Sequence, residues 1–140
     1  MIRLDTNVLS EVMKPSPSPR VMRWMAKQLA LDLFTTAISH AEILYGMELL
    51  PKGKRRSALQ VQAESMFEED FADRILPFDS DAARWFARMV AGRRSMGRTT
   101  REFDAAIAAI ARSRSAVLAT RNTRDFDDCG VALLNPWAHE

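Results

Sequence analysis

Four short apolar stretches, residues 1–4, 31–38, 74–78 and 116–120, are separated by segments with helical spacing, and this alternation constrains the fold more than any other feature. The first stretch runs into Asp5, after which Val8, Leu9 and Val12 recur at helical intervals until Pro15. An extended connector carrying Pro15, Pro17 and Pro19 precedes Val21, Met22, Trp24, Met25 and Leu29, which suit an amphipathic helix. Residues 31–38 feed a helix bearing Ile43, Leu44, Met47 and Leu50, with Ser39 and Glu42 spaced as a capping box. Beyond a basic turn at 51–56, Leu59, Met66 and Phe67 share a long helix whose opposite face carries Glu64, Glu68 and Glu69 as solvated acids. Residues 74–78 hand over at Asp79 or Ser80 to a helix with Ala82, Trp85, Phe86 and Met89. The stretch 92–100 reads as a basic loop, and Thr99 with Glu102 as a second capping box, opening a helix with Phe103, Ile107, Ile110 and Ala111 on one stripe. Residues 131–134 are left as a short edge strand. Strands that alternate with helices pair through right-handed crossovers, so the predicted fold class is α/β: a central, mostly parallel sheet covered by helices on both faces, with residues 1–140 as one domain.

Composition narrows the chemistry. A single cysteine, Cys129, has no internal disulfide partner, which fits a reduced compartment. Two histidines, His40 and His139, and one cysteine cannot supply the soft ligands of a zinc site, so any metal must be oxygen-bound. The longest uncharged apolar run, 105–111, falls far short of the roughly 20 residues of a membrane span, and residues 1–5 do not resemble a signal peptide. A soluble, cytoplasmic protein is the expectation.

In open parallel sheets ligands sit beyond the carboxyl ends of the strands. Here those positions carry acids or amides: Asp5 after the first strand, Glu42 on the helix after the second, Asn122 and Asp125 after the strand ending at Thr120, and Asp104 on the first turn of its own helix. Carboxylates gathered at one sheet edge repel by about 4 kcal/mol per pair at ~4 Å and an effective dielectric near 20, and so call for a cation. Oxygen ligands that leave water positions suit Mg²⁺ or Mn²⁺, and the chemistry implied is hydrolysis of a phosphodiester. Each acid also has a purely structural reading: Asp5 as a helix cap, Glu42 as the partner of Ser39 in a capping box, Asp104 as a first-turn carboxylate favoured by the helix dipole, Asn122 and Asp125 as turn caps. The hydroxyls of Thr6 and Thr120 are placed to hold a carboxylate or a water, or to serve as local turn hydroxyls.

The segments 5–11 (Asp-Thr-Asn-Val-Leu-Ser-Glu), Ile38-Ser39 through Ala41-Glu42 to Gly46, Asp104 with Ile107-Ala108-Ala109, 120–126 (Thr-Arg-Asn-Thr-Arg-Asp-Phe) and Asn135-Pro136-Trp137 together resemble a PIN domain. More narrowly, the chain is similar to the VapC-type toxins, in the branch that includes the FitB proteins. The resemblance implies a Mg²⁺- or Mn²⁺-dependent endoribonuclease, the toxin of a type II toxin-antitoxin pair, homodimeric and silenced by a VapB-like antitoxin. It also implies that Asp5 and Asp104 are the principal metal ligands and Glu42 the third acid. Asn122 stands where the family's fourth acid usually follows the Thr-Arg pair; an amide there weakens a second metal position, and Asp125 is the candidate substitute.

The near-neutral balance of 20 Lys+Arg against 18 Asp+Glu conceals a segregation, because residues 84–114 hold eight arginines against Glu102 and Asp104. Arg93, Arg94, Arg98 and Arg101 are the candidate contacts to an RNA backbone, with solvated surface arginines the alternative. Met22, Trp24 and Met25 serve either the core or an apolar groove for an amphipathic partner helix. Two rival functions stand beside the nuclease: a non-catalytic PIN-like binding module, suggested by Asn122, and a phosphatase using Asp5, which would require a second Asp where Asn7 stands.

Overall fold

Extended backbone from Ile2 to Leu4 forms β1 and ends at Asp5, which opens α1 (Thr6–Val12). The order continues α2 (Pro19–Ala26), a 3₁₀ turn at Ala30–Asp32, β2 (Leu33–Thr36), α3 (Ala37–Glu48) and α4 (Lys54–Ser65), which widens into a π-helical turn over Met66–Asp70. Then follow β3 (Ile75–Leu76), α5 (Ser80–Ser95), α6 (Glu102–Ser113), β4 (Val117–Ala119), a 3₁₀ turn at Thr123–Phe126 and β5 (Leu133–Leu134). This computed structural model describes residues 1–138; His139 lies outside the described residues.

The five strands form one sheet in the order β3-β2-β1-β4-β5, and every pairing is parallel. In β1, Arg3 is in register with Phe34 of β2 and Leu118 of β4. Leu4, Val8, Leu9, Trp24, Ile43 and Phe67 make one core, beneath α1 to α4; Ile107, Ile110, Leu118 and Phe126 make the other, beneath α5 and α6. Helices on both faces of a parallel sheet are thus as expected. Among the described residues, no helix is long and apolar enough to cross a membrane.

Several local readings change. Neither capping box forms: the Thr36 hydroxyl accepts from Ser39 N at 3.0 Å, so α3 starts upstream and Ser39 is a buried residue within it. A strand that ends on Thr36 with extended backbone already supplies the cap, which releases Glu42 from capping. The cap of α6 is Arg101, without a side-chain bond, and Thr99 lies outside the helix. Residues 92–95 belong to α5 rather than to a loop; the turn comes at Gly97, whose φ of 72° is left-handed. Leu29 lies beyond α2 and Phe103 off the buried stripe, both exposed. Trp24 is core, whereas Met22 is exposed.

Residues 1–4 are not uniformly apolar in effect, since Arg3 is wholly buried in the central strand. Its guanidinium lies over the Phe34 ring at 4.7 Å, and none of its three nitrogens has a hydrogen-bond partner among the described residues. Burial, with Arg114 nearby, brings its pKa down to about 10. A central strand covered on both faces has no exposed side, so alternation places Arg3 inside.

Candidate active site

From β1 the chain turns through α1 towards β2, while β4 lies on the other side of β1, so the topological switch point falls between β1 and β4. Asp5 and Thr120 terminate those two strands and meet there. Asp5 Oδ1 accepts from Thr6 N at 2.8 Å, capping α1, and Oδ2 accepts from Thr120 Oγ1 at 2.7 Å. The Thr120 hydroxyl in turn accepts from Asn7 Nδ2 at 3.2 Å and Asn122 N at 3.1 Å, so its single proton is committed to Asp5. Thr6 Oγ1 lies 2.8 Å from Glu42 Oε1 and 2.9 Å from Ser39 Oγ. Asp5 therefore caps a helix and lines the crevice at the same time.

A crevice of about 390 Å³ collects Asp5, Glu42, Asp104, Asn122 and Asp125, with Arg101 and Arg121 on its walls. Glu42 projects from the second turn of α3, Asp104 from the first turn of α6, and Asp125 from a 3₁₀ turn anchored by buried Phe126. Ala105 to Ala111 are buried on every side of α6, so the helix that presents Asp104 is fixed in the core. Beside the crevice, and sharing Thr6 and Glu42 with it, runs an apolar groove of about 650 Å³ lined by Met13, Ile43, Met47, Leu50 and Leu59.

Burial first, and then their proximity to one another, raises the carboxyl groups. Burial pushes Asp5 up, offset by Thr120 and Thr6 and reinforced by Glu42 and Asp125. Burial raises Glu42, opposed by Thr6 and increased by Asp104; burial also raises Asp104, with Asp5 and Asp125 adding to it. Arg101 lowers Glu42 and Asp104 but does not reverse either shift. A carboxylic acid with a raised folded-state pKa binds its proton more readily folded than unfolded, so it destabilises the fold as pH rises from the ordinary value, 3.8 for Asp104, through the raised one. The metal-free protein should therefore show this component of stability grow as pH is lowered into that window. Thermal denaturation in chelator checks it: the stability advantage of Asp104→Asn over wild type should shrink as pH is lowered towards 3.8, and a pH-independent difference would remove the coupling.

The donors are oxygens alone, as a hard cation requires. Among the described residues, no group of three or more His, Cys, Asp or Glu side chains lies close enough together to hold a metal ion. An open arrangement suits Mg²⁺, which keeps several waters and takes one or two carboxylates.

Of the four arginines singled out from the sequence, only Arg101 lines the crevice. Arg93 is buried and donates to the Asp127 carbonyl and, at 3.6 Å, to Cys129 Sγ; it is a structural residue, not a surface contact. A position on the inner face of α5 rather than in a loop explains the difference. Arg98 is ion-paired with Asp128, and Arg94 is exposed on the last turn of α5, outside the residues lining the crevice. Sequence reasoning overlooked Arg121 and Trp137, which do line it; the signal was their position, one directly after Thr120 and the other in the closing Asn-Pro-Trp segment.

A five-stranded parallel sheet in this order, with an acidic crevice over its switch point, places the chain among doubly wound α/β proteins, and the PIN domain family profile matches residues 2–131. The chain belongs to the PIN-domain family, in its VapC/FitB group. It is 39% identical to VapC ribonuclease Y4jK of Sinorhizobium fredii (strain NBRC 101917 / NGR234), over 98% of each chain. It is 39% identical to Toxin FitB of Neisseria gonorrhoeae (strain ATCC 700825 / FA 1090), over 98% of this chain and 99% of that one. The structure of FitAB bound to an IR36 DNA fragment matches with a TM-score of 0.93 at 38% identity, covering 100% of this chain and 98% of the other.

Proposed function

We propose that the chain is a Mg²⁺- or Mn²⁺-dependent endoribonuclease and the toxin of a type II toxin-antitoxin pair, acting in the cytoplasm as a homodimer. The observation that carries this is the single crevice that Asp5, Glu42 and Asp104 line together, in a chain 39% identical to a VapC ribonuclease. Asp5 and Asp104 would hold the cation, and Glu42 and Asp125 complete the negative field around it. When bound, the cation supplies an acidified water and offsets charge on the phosphate. Thr120 holds Asp5 in one orientation, Thr6 does the same for Glu42, and Arg101 faces the incoming phosphate. Asp125 provides an acid on the wall where Asn122 does not, so the substitution at Asn122 leaves the crevice acidic.

The apolar groove beside Glu42 fits an amphipathic helix of a VapB-like antitoxin, which would then end at the crevice it silences. FitAB, the assembly with the matching fold, pairs the similar chain with a second protein. Purified chain should cleave RNA with Mg²⁺ or Mn²⁺, stop on chelation, and resume when metal is restored; chelator-resistant cleavage overturns the mechanism. Expression without a partner should arrest growth and Asp5→Ala relieve it, whereas equal growth of the two strains would favour the binding module.

A further inference from the structure

We propose that Arg121 and Trp137 form a phosphate-holding subsite on the rim of the crevice, which engages an RNA backbone phosphate next to the one that is cleaved. The inference rests on the ribonuclease reading and adds to it a binding element that accounts for an unused cation.

Arg121 is exposed and lines the same crevice as Asp5, Glu42, Asp104 and Asp125, yet among the described residues its guanidinium makes no ion pair. A guanidinium free to swing beside carboxylates would be expected to pair with one of them bidentately. Instead it lies over the indole of Trp137, 5.1 Å from the ring centroid. Its backbone N donates to Asn7 Oδ1 at 3.4 Å, and Asn7 also binds Thr120, so the segment is tied to the strand end that holds Asp5.

Trp137 is itself anchored. Its backbone N donates to Asn135 Oδ1 at 2.9 Å, its carbonyl accepts from Arg20 Nη1 at 3.1 Å, and its ring packs against the core that includes Leu4, Val8 and Leu9. Although burial works in the opposite direction, Glu11 stays below the ordinary carboxylate range through Lys14, the Ser18 N–H and the Trp137 side chain. The indole is thus a fixed platform, half-buried, at the edge of the crevice.

A cation–π contact through the guanidinium carbon uses no N–H donor, so the donors of Arg121 remain available to phosphate oxygens. Trp137 therefore does two things: it keeps Arg121 from neutralising the carboxylates that the cation needs, and it presents a pre-ordered donor edge to a polyanion. Arg121 is the contact, and Trp137 is a positioning residue that acts through it. Arg93 and Arg98 already contact Asp127, Cys129 and Asp128, so Arg121 adds to Arg101 a second crevice-lining guanidinium, one without an ion pair among the described residues.

The test measures equilibrium binding of a single-stranded oligoribonucleotide to the full chain in chelator across a salt series, together with KM and kcat in Mg²⁺. Arg121→Ala should weaken binding and raise KM by about tenfold or more, the scale of a charge-assisted hydrogen bond, with kcat changed by less than about twofold. The slope of log K against log salt should fall by about 0.7, the value for one phosphate contact on a single strand. Trp137→Phe should keep most of the affinity, Trp137→Ala should shift binding in the same direction as Arg121→Ala, and the double variant should bind no more weakly than Arg121→Ala alone. An unchanged salt slope in Arg121→Ala, or a further loss on adding Trp137→Ala, overturns the subsite while the nuclease reading stands. If wild type neither binds nor cleaves RNA, both fall.

Discussion

Asp104→Asn is expected to lower metal-dependent RNA cleavage by about 10³-fold or more while leaving the protein folded and, in chelator, more stable than wild type. The carboxylate sits on the first turn of a helix otherwise buried in the core, and its pKa is raised first by burial and then by Asp5 and Asp125. An amide of the same shape removes a charge that the metal-free fold has to tolerate, so the stability change should be favourable by about 1 kcal/mol. In the proposed mechanism the same change removes a metal ligand, and a loss of 10³-fold corresponds to about 4 kcal/mol of transition-state stabilisation. Asp5→Asn should lose cleavage to the same extent without the gain in stability. Both Asp5 oxygens accept hydrogen bonds, from Thr6 N and Thr120 Oγ1, and an amide nitrogen cannot accept the second. Cleavage rates with Mg²⁺ and melting curves in chelator check the pair: wild-type cleavage by Asp104→Asn would sink its assignment as a ligand. Opposite signs of activity and stability at one residue are what a site built for a cation produces.

Arg3→Met should stabilise the protein by about 1–3 kcal/mol, raising the melting temperature by several degrees. At neutral pH Arg3 is charged, wholly buried and without a hydrogen-bond partner among the described residues, and its depressed pKa of about 10 reflects roughly 3 kcal/mol of preference against that state. Part is recovered through the Phe34 ring, about 1–2 kcal/mol for a desolvated cation over an aromatic face. Methionine keeps the length of the side chain and its packing over Phe34 without the charge. The sign of the pH dependence follows: a base whose folded pKa is depressed gains stability as pH rises through that value, so wild type should close part of the gap to Arg3→Met near pH 10. A destabilised Arg3→Met, by urea titration at pH 7, would mean that the guanidinium has partners that offset its burial.

Both residues show how far the chain could be read before its fold was known. Asp104 was legible because a lone acid beside its helical neighbours Ala108 and Ala111 is costly on a face that small and apolar. Arg3 was not, because a strand of three residues carries too little alternation to distinguish a half-exposed strand from one covered on both faces. Ser39 and Glu42 satisfied a capping pattern, but Thr36 took the cap since the strand happened to end there, and no local signal separates a Thr that ends a strand from one within it. Arg93 stood in a run of arginines that looked like a loop; one more turn of α5 swings it inward, against Asp127 and Cys129.

Alternation of apolar stretches with helical segments determined by itself the α/β class, the strand positions and the acids that follow them, because strand and helix periods are local properties of the chain. The scarcity of histidine and cysteine likewise sufficed to restrict a metal to oxygen ligands. Only the tertiary structure decided which side chains meet. Thr120 reaches Asp5 across 115 positions and Glu42 reaches Thr6 across 36, through a sheet order that puts β4 on one side of β1 and β2 on the other. The same order separated Arg121, held on Trp137 at the crevice, from arginines consumed by their neighbours. Contacts of that kind depend on which strands pair and which helix faces turn inward, and those are settled by packing of the whole chain rather than by any segment of it.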